Sequence, residues 1–137
     1  MKIRTDFVTN SSSSSYVIAY RNTEYTPEEL TKYPQLQLFN RFIEAFIDAT
    51  DYNDTREGRV FKSKDDYIEY MSKCYNYSVE DFLEEYSDSK WLKNILDKFD
   101  EGYAVMEKSI GYSSDVLIKL VKFLGNNNKD FIVLNND

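Results

Sequence analysis

Two strand-like stretches near the N-terminus, separated by a run of serines, constrain the fold more than any other feature of the sequence. Ile3, Thr5 and Phe7 would lie on one side of a first strand, and the even-numbered residues of 16–20 on one side of a second. A period of two residues is typical of half-buried β-strands. The serines at residues 11–15 are too many for a two-residue turn. The sequence therefore predicts an N-terminal β-hairpin with a polar serine loop.

Repeated start signals divide the middle of the chain into short helices. Thr26, Pro27 and Glu29 form a capping pattern with proline at the first helical position, and Pro34 limits this helix to about two turns. A longer helix is predicted over about residues 35–50, and further helices begin near residues 63, 78 and 89. The side chains predicted to face inward are Leu38, Phe39, Phe42, Ile43, Phe46, Ile47, Tyr67, Ile68, Met71, Cys74, Tyr75, Val79, Phe82, Leu83, Tyr86, Trp91, Leu92, Ile95, Leu96 and Phe99.

The C-terminal third of the sequence has the pattern strand, helix, strand. We predict strands over residues 103–110 and 130–135, and between them a well-buried helix over residues 115–124 that ends at Gly125. A short strand is also indicated at residues 59–61. The predicted fold is α+β, a single domain over residues 1–137. In it an N-terminal hairpin, a helical middle and a C-terminal strand-helix-strand complete one small sheet.

The composition excludes several kinds of catalytic site. The chain has no histidine, so Ser–His and Cys–His nucleophiles and histidine metal ligands are unavailable. The one cysteine, Cys74, lies on an apolar helix stripe and is predicted to be a buried, inert thiol. It has no second cysteine with which to form an intramolecular disulfide. We expect no enzymatic activity, and a carboxylate-based enzyme is the weakest alternative.

The polar connection after the second helix contains several potential metal ligands. Asp51, Asn53, Asp54 and Glu57 supply oxygen ligands, but the calcium-loop pattern fails because Arg56 occupies the position of its glycine. We therefore expect neither a metal nor a cofactor. The longest apolar stretch, residues 116–124, is interrupted by lysines and too short to span a bilayer, so we expect a cytoplasmic protein that does not bind membranes.

The net charge of −7 is concentrated in one segment. Residues 65–101 contain eleven acidic and four basic residues, whereas the rest of the chain has thirteen of each. This distribution lacks a basic footprint for nucleic acid and favours a protein partner with a basic surface. The residues predicted to contact such a partner are Glu80, Asp81, Glu84, Glu85 and Asp88. The alternative is that these carboxylates only form a solvated helix face.

The first 18 residues resemble the start of a group of small proteins from low-GC bacteria, their phages and mobile elements. That shared start is a basic residue followed by x-Arg-x-Asp-Phe-Val-Thr-Asn, five serines and an aromatic residue, which here reads KIRTDFVTNSSSSSY. Phenylalanine is common at the position of Tyr16. The resemblance implies a phage or mobile-element origin, and it transfers no residue roles.

These observations lead to two functional hypotheses. The first is a small acidic, non-enzymatic binding protein that inhibits a host defence effector handling nucleic acid, in the manner of an anti-CRISPR protein. Its acidic helical residues would occupy the basic surface of that effector. The second is a structural or assembly module that acts through the edge of the N-terminal hairpin.

Overall fold

The computed structural model describes residues 13–21, 26–51, 54–127 and 129–135, and these form an α+β fold with six helices and a four-stranded sheet. In chain order the elements are β1 (Ser13–Arg21), α1 (Pro27–Lys32), α2 (Pro34–Asp48), β2 (Arg59–Phe61), α3 (Lys64–Cys74), α4 (Val79–Glu85), α5 (Lys90–Asp100), β3 (Tyr103–Gly111), α6 (Asp115–Asn127) and β4 (Phe131–Val133). The predicted α+β class and the short strand at residues 59–61 are therefore confirmed.

The sheet is antiparallel and has the strand order β2-β3-β1-β4. β1 pairs with β3 along its whole length, from Ser13 opposite Gly111 to Arg21 opposite Tyr103, and with β4 on its other side. β3 and β4 thus run parallel to each other but are separated by β1. The predicted strand-helix-strand is confirmed, and it completes the sheet by enclosing β1 instead of forming two neighbouring parallel strands.

The predicted hairpin is only partly covered by the described residues. Its second strand is β1, whereas its first strand, at residues 3–7, lies outside them. The serine loop was predicted to extend to Ser15, but the strand already begins at Ser13. The reason is pairing: β3 is long enough to reach these serines, and the Ser109 hydroxyl donates to the Ser13 hydroxyl at 3.2 Å.

The predicted helix starts are confirmed by their caps. Thr26 and Glu29 form a reciprocal capping box that opens α1. Ser63, Ser78 and Ser89 each accept a hydrogen bond of 3.1 Å from the backbone N–H three residues later. Gly102, with φ of +92°, follows the end of α5, where a left-handed residue favours glycine. Local signals thus place these helices correctly.

Helices cover both faces of the sheet, and each face has its own apolar core. On one face, which we call the α2/α6 face, buried residues of β1 and β3 pack against α2 and α6; they are Tyr16, Ile18, Tyr20, Ala104, Met106 and Ile110. The other face, the α3–α5 face, carries Val17, Ala19, Tyr103 and Val105 beneath α3, α4 and α5. β1 and β3 are therefore buried from both sides.

The prediction that α6 is well buried is wrong. Val121 is buried, but Val116 is 71% exposed and Phe123 is 64% exposed, because α6 covers only one face of the sheet and turns its other side outward. Leu38 on α2 is also exposed, because α2 likewise packs against the sheet with only one of its sides.

α6 also does not end at Gly125 but continues to Asn127. A Cβ atom at Gly125 would lie 2.8 Å from Cγ2 of Val133, so glycine is required here by close packing against β4.

Candidate interaction surface

α4 is held to the protein by one fully buried side chain, Phe82. The Phe82 ring lies 4.9 Å from the Tyr86 ring and 6.4 Å from the Tyr75 ring, measured between centroids. Tyr86 in turn contacts Tyr77 edge-on at 6.4 Å. This aromatic cluster fixes the orientation of a helix only seven residues long. The remaining sides of α4 are directed away from the core.

The five carboxylates predicted to contact a partner are all exposed on α4 and just after it. We call them the acidic face: Glu80, Asp81, Glu84, Glu85 and Asp88. None of them forms an ion pair within the described part of the chain, whereas acids on the neighbouring helices do. The pairs there are Lys64–Asp100, Lys73–Glu69, Lys93–Asp97 and Lys98–Glu101, at 2.7, 3.0, 2.9 and 3.5 Å. The negative charge of α4 is therefore uncompensated locally.

Two apolar side chains lie beside these carboxylates and were predicted to face inward. Val79 is 41% exposed and Leu83 is 38% exposed, so that prediction is wrong for both residues. They are four residues apart and share one side of α4, next to Glu80 and Glu84. Because α4 contacts the core through Phe82, the adjacent rim of its apolar stripe remains in solvent. The acidic face thus borders an exposed apolar strip.

Cys74 is exposed, and the prediction of a buried thiol is wrong. It lies in the last turn of α3, where the buried side of the helix is formed by Tyr67, Ile68, Met71 and Ser72. The stripe read from the sequence was shifted toward Cys74, whereas the polar Ser72 is the residue that the core covers.

Lys108 on β3 is a buried cation that sequence reasoning missed. Its side chain is 1% exposed, and its ammonium donates to the carbonyl oxygens of Ile47, Ala49 and Arg56 at 3.1, 2.5 and 2.7 Å. Burial lowers the pKa of Lys108, while Asp48, among other nearby acids, opposes that effect. The ammonium therefore connects the end of α2 to the segment before β2.

The polar connection at residues 51–57, where the sequence departs from the calcium-loop pattern, contains an internal hydrogen-bond network. The Thr55 hydroxyl donates to the Asp51 carboxylate at 3.0 Å and lies 2.7 Å from the Ser114 hydroxyl, which also bonds Asp51. The Gly111 N–H donates to the Thr55 hydroxyl at 2.9 Å. Asn53 lies outside the described residues. Within residues that are described, no group of three or more acidic or cysteine side chains is arranged to hold a metal ion.

A cleft of about 230 Å³ lies between α6 and the end of β4. Asn135, which lines it, accepts from the Val17 N–H at 2.7 Å and donates to the Ser15 carbonyl at 2.8 Å. This amide continues the pairing of β1 where β4 stops. The Asn135 side of the cleft is therefore part of the sheet structure.

Two further expectations concern the membrane and the hairpin edge. Among the helices that the structure describes, none has the length and apolarity needed to cross a bilayer. β1 lies between β3 and β4, and at Ile18–Tyr20 both of its edges are occupied. Partner binding through this part of the hairpin would have to displace a strand.

Comparison with known proteins assigns no family to the chain. No family model, no curated protein and no solved structure matches it. The functional proposal therefore rests on the acidic face and the exposed apolar strip beside it.

Proposed function

We propose that this protein is a non-enzymatic binding protein whose acidic face docks on a basic surface of a protein partner. The observation that carries the proposal is the position of Val79 and Leu83, which are exposed beside unpaired carboxylates. Single exposed apolar side chains are common on protein surfaces, whereas these two residues lie together on the side of α4 that borders the carboxylates. Apolar side chains bordered by charge are typical of a protein interface.

The two kinds of side chain would contribute differently to binding. The carboxylates would accelerate association with a cationic surface, and salt would weaken this effect because exposed charges are screened beyond about 8 Å at physiological ionic strength. Val79 and Leu83 would supply apolar burial after contact, at roughly 25 cal/mol per Å² of surface removed from water. We expect an interface that is salt-sensitive in its association rate and has a less salt-sensitive dissociation rate.

The partner class follows from the charge. A basic surface that accepts a row of carboxylates is one that otherwise holds a polyanion, so we infer a nucleic-acid-handling effector, in which the acidic face would occupy the nucleic-acid channel. The resemblance of residues 1–18 to proteins of phages and mobile elements supports a host defence effector as the target. The protein would then act as an inhibitor without binding nucleic acid itself.

Capture from a host lysate with the immobilised protein tests this proposal. The test variant is Glu84→Lys with Glu85→Lys, and the matched control is Glu69→Lys with Asp97→Lys, which reverses two charges outside the acidic face. We expect a captured protein that is released by high salt and by added DNA duplex, is lost with the test variant and is retained by the control. Leu83→Ser should mainly speed dissociation.

The charge reversals should leave the fold intact, because surface substitutions usually change the free energy of unfolding by less than about 0.5 kcal/mol. Urea denaturation of each variant checks this. Capture that is unchanged by Glu84→Lys with Glu85→Lys, or that DNA does not compete, would contradict the proposal.

A further inference from the structure

Glu107 is a carboxylate enclosed within the α3–α5 face of the sheet. It lies on β3, opposite Arg59 of the edge strand β2 and opposite Val17 of β1. Residues directly opposite each other on antiparallel strands have Cβ atoms about 5 Å apart. α3 covers this part of the face, so the Glu107 side chain is only partly accessible. Within the described ranges it forms neither a hydrogen bond nor an ion pair.

The groups around Glu107 leave it without a fixed partner. From β2, Arg59 lies opposite, but its guanidinium is placed over the Tyr70 ring, 4.5 Å from the centroid. From α3, Tyr67 and Tyr70 are the titratable neighbours, and the buried Tyr67 hydroxyl has no hydrogen-bond partner in the part of the chain that the structure describes. β1 contributes only the apolar Val17. Among the residues that the structure describes, Arg59 is therefore the cation placed to pair with an ionised Glu107.

We propose that Glu107 and Arg59 form a pH-dependent switch that controls how tightly the edge strand β2 packs against α3. When Glu107 is neutral, Arg59 remains on the Tyr70 ring and the edge of the α3–α5 face is closed. When Glu107 is ionised, its carboxylate draws the guanidinium away from Tyr70. The proton released by Glu107 passes to solvent.

The balance between the two positions of Arg59 depends on the charge of Glu107. A guanidinium–carboxylate hydrogen bond is stronger than a cation–π contact at a partly exposed site. The Arg59 guanidinium should therefore leave the Tyr70 ring and bind the ionised carboxylate. A neutral carboxyl offers no such attraction, and the ring contact persists. Burial raises the pKa of Glu107 to about 7, while Arg59 opposes this rise. The switch therefore operates near neutral pH.

The separation of β2 from α3 is the expected structural consequence. Phe61 of β2 packs against Tyr70 at 5.2 Å and edge-on against Tyr67 at 5.0 Å, measured between ring centroids. β2 has only three residues and pairs with β3 alone among the described strands. Losing the Arg59 contact removes one of the few interactions that join this strand to α3.

NMR titration of the full chain between pH 4 and pH 9 tests the switch. The readouts are the Glu107 side-chain carboxyl carbon, the Arg59 Nε–Hε group and the Tyr70 ring. We expect all three to titrate with one midpoint near 7. In Glu107→Gln the Arg59 and Tyr70 signals should no longer change with pH. The control Glu69→Gln, at an exposed residue of α3, should leave the titration unchanged.

A second variant keeps the proposal testable if Glu107→Gln folds poorly. Arg59→Gln removes the cation that lowers the pKa of Glu107, so the carboxyl midpoint should move to higher pH, and the change of the Tyr70 ring signal should shrink to the direct effect of the Glu107 charge. The proposal is overturned if Glu107 titrates near its ordinary value of 4.5. It is equally overturned if the Arg59 and Tyr70 signals do not follow the Glu107 carboxyl.

Discussion

Glu107 and Lys108 are neighbours on β3, yet their side chains enter opposite faces of the sheet and are treated in opposite ways. On the α2/α6 face, three carbonyl oxygens accept hydrogen bonds from the Lys108 ammonium. On the α3–α5 face, Glu107 has no hydrogen bond within the described ranges. Both are ionisable groups largely removed from water. Burial alone therefore does not set the cost of a charge; the hydrogen-bond partners supplied to it do.

This difference extends to the rest of each face. Around Lys108, the end of α2 and the segment before β2 converge on a single cation and leave it little freedom. On the opposite face, Tyr67 Oη and Trp91 Nε1 are buried and find no hydrogen-bond partner among the described residues. Such groups can gain interactions if the surrounding helices move. We therefore expect the α2/α6 face to be rigid and the α3–α5 face, which carries the acidic face, to be adaptable.

The largest expected effect comes from removing the Lys108 ammonium. Lys108→Met keeps much of the side-chain volume but removes the ammonium from the Ala49 and Arg56 carbonyl oxygens, and the Ile47 oxygen keeps only the Gly58 N–H as a donor. We expect a loss of about 2–5 kcal/mol in the free energy of unfolding, because each carbonyl oxygen that loses its donor away from water costs about 1–3 kcal/mol. Urea denaturation at pH 7 measures it. Lys119→Met, on the exposed side of α6, is the control and should change stability by less than about 1 kcal/mol. If the two substitutions lowered the free energy of unfolding equally, the hydrogen bonds of Lys108 would not distinguish the α2/α6 face from the α3–α5 face.

The second effect concerns Glu107 and depends on pH. Its pKa is raised from 4.5 to about 7 in the folded protein, so the folded state holds a proton that the unfolded state releases. Stability from the neutral carboxyl is full below about pH 4.5 and is lost as the pH rises to about 7. The shift corresponds to at most about 3 kcal/mol.

Glu107→Gln isolates this effect from the titration of other acids. The variant should match the original protein near pH 4.5 and be more stable than it at pH 8, by up to about 3 kcal/mol. Urea denaturation at both pH values gives the difference, with Glu69→Gln as the exposed control. A variant that is less stable than the original at pH 8 would show that pairing of the ionised Glu107 with Arg59 more than offsets the cost of its burial, and the two faces would then be alike.

The sequence predicts well where the helices and strands lie, but it predicts poorly which of their side chains are buried by other elements. Caps such as Thr26 and Ser78 act through neighbouring backbone groups, so a local pattern suffices to locate them. Helical spacing shows that Val79 and Phe82 lie on the same side of a helix, but not how much of that side another element covers. That depends on the placement of α4 on the sheet, which no local pattern encodes.

The ionisable residues of β3 show the same limit. The strand at residues 103–110 was predicted, and alternation implies that Glu107 and Lys108 point to opposite sides. The three carbonyl partners of Lys108 come from residues at least 52 positions away in the chain. One signal was available, because two adjacent charges within an otherwise apolar strand must either reach solvent or find partners. The acidic face, by contrast, required no long-range information because exposed charge is the default.

The smallest expected effect tests whether the rigidity of the α2/α6 face also depends on shape. Gly125→Ala should gain up to about 1 kcal/mol of helix propensity. Its Cβ, however, would lie 2.8 Å from Cγ2 of the stiff side chain of Val133, so α6 and β4 must separate. We expect a net loss of about 1–2 kcal/mol. Combining it with Val133→Ala should restore part of the loss, as a coupling of about 1 kcal/mol in a double-mutant cycle of urea denaturation. Additive effects would mean that α6 shifts freely over β4, and rigidity would then rest on Lys108 alone.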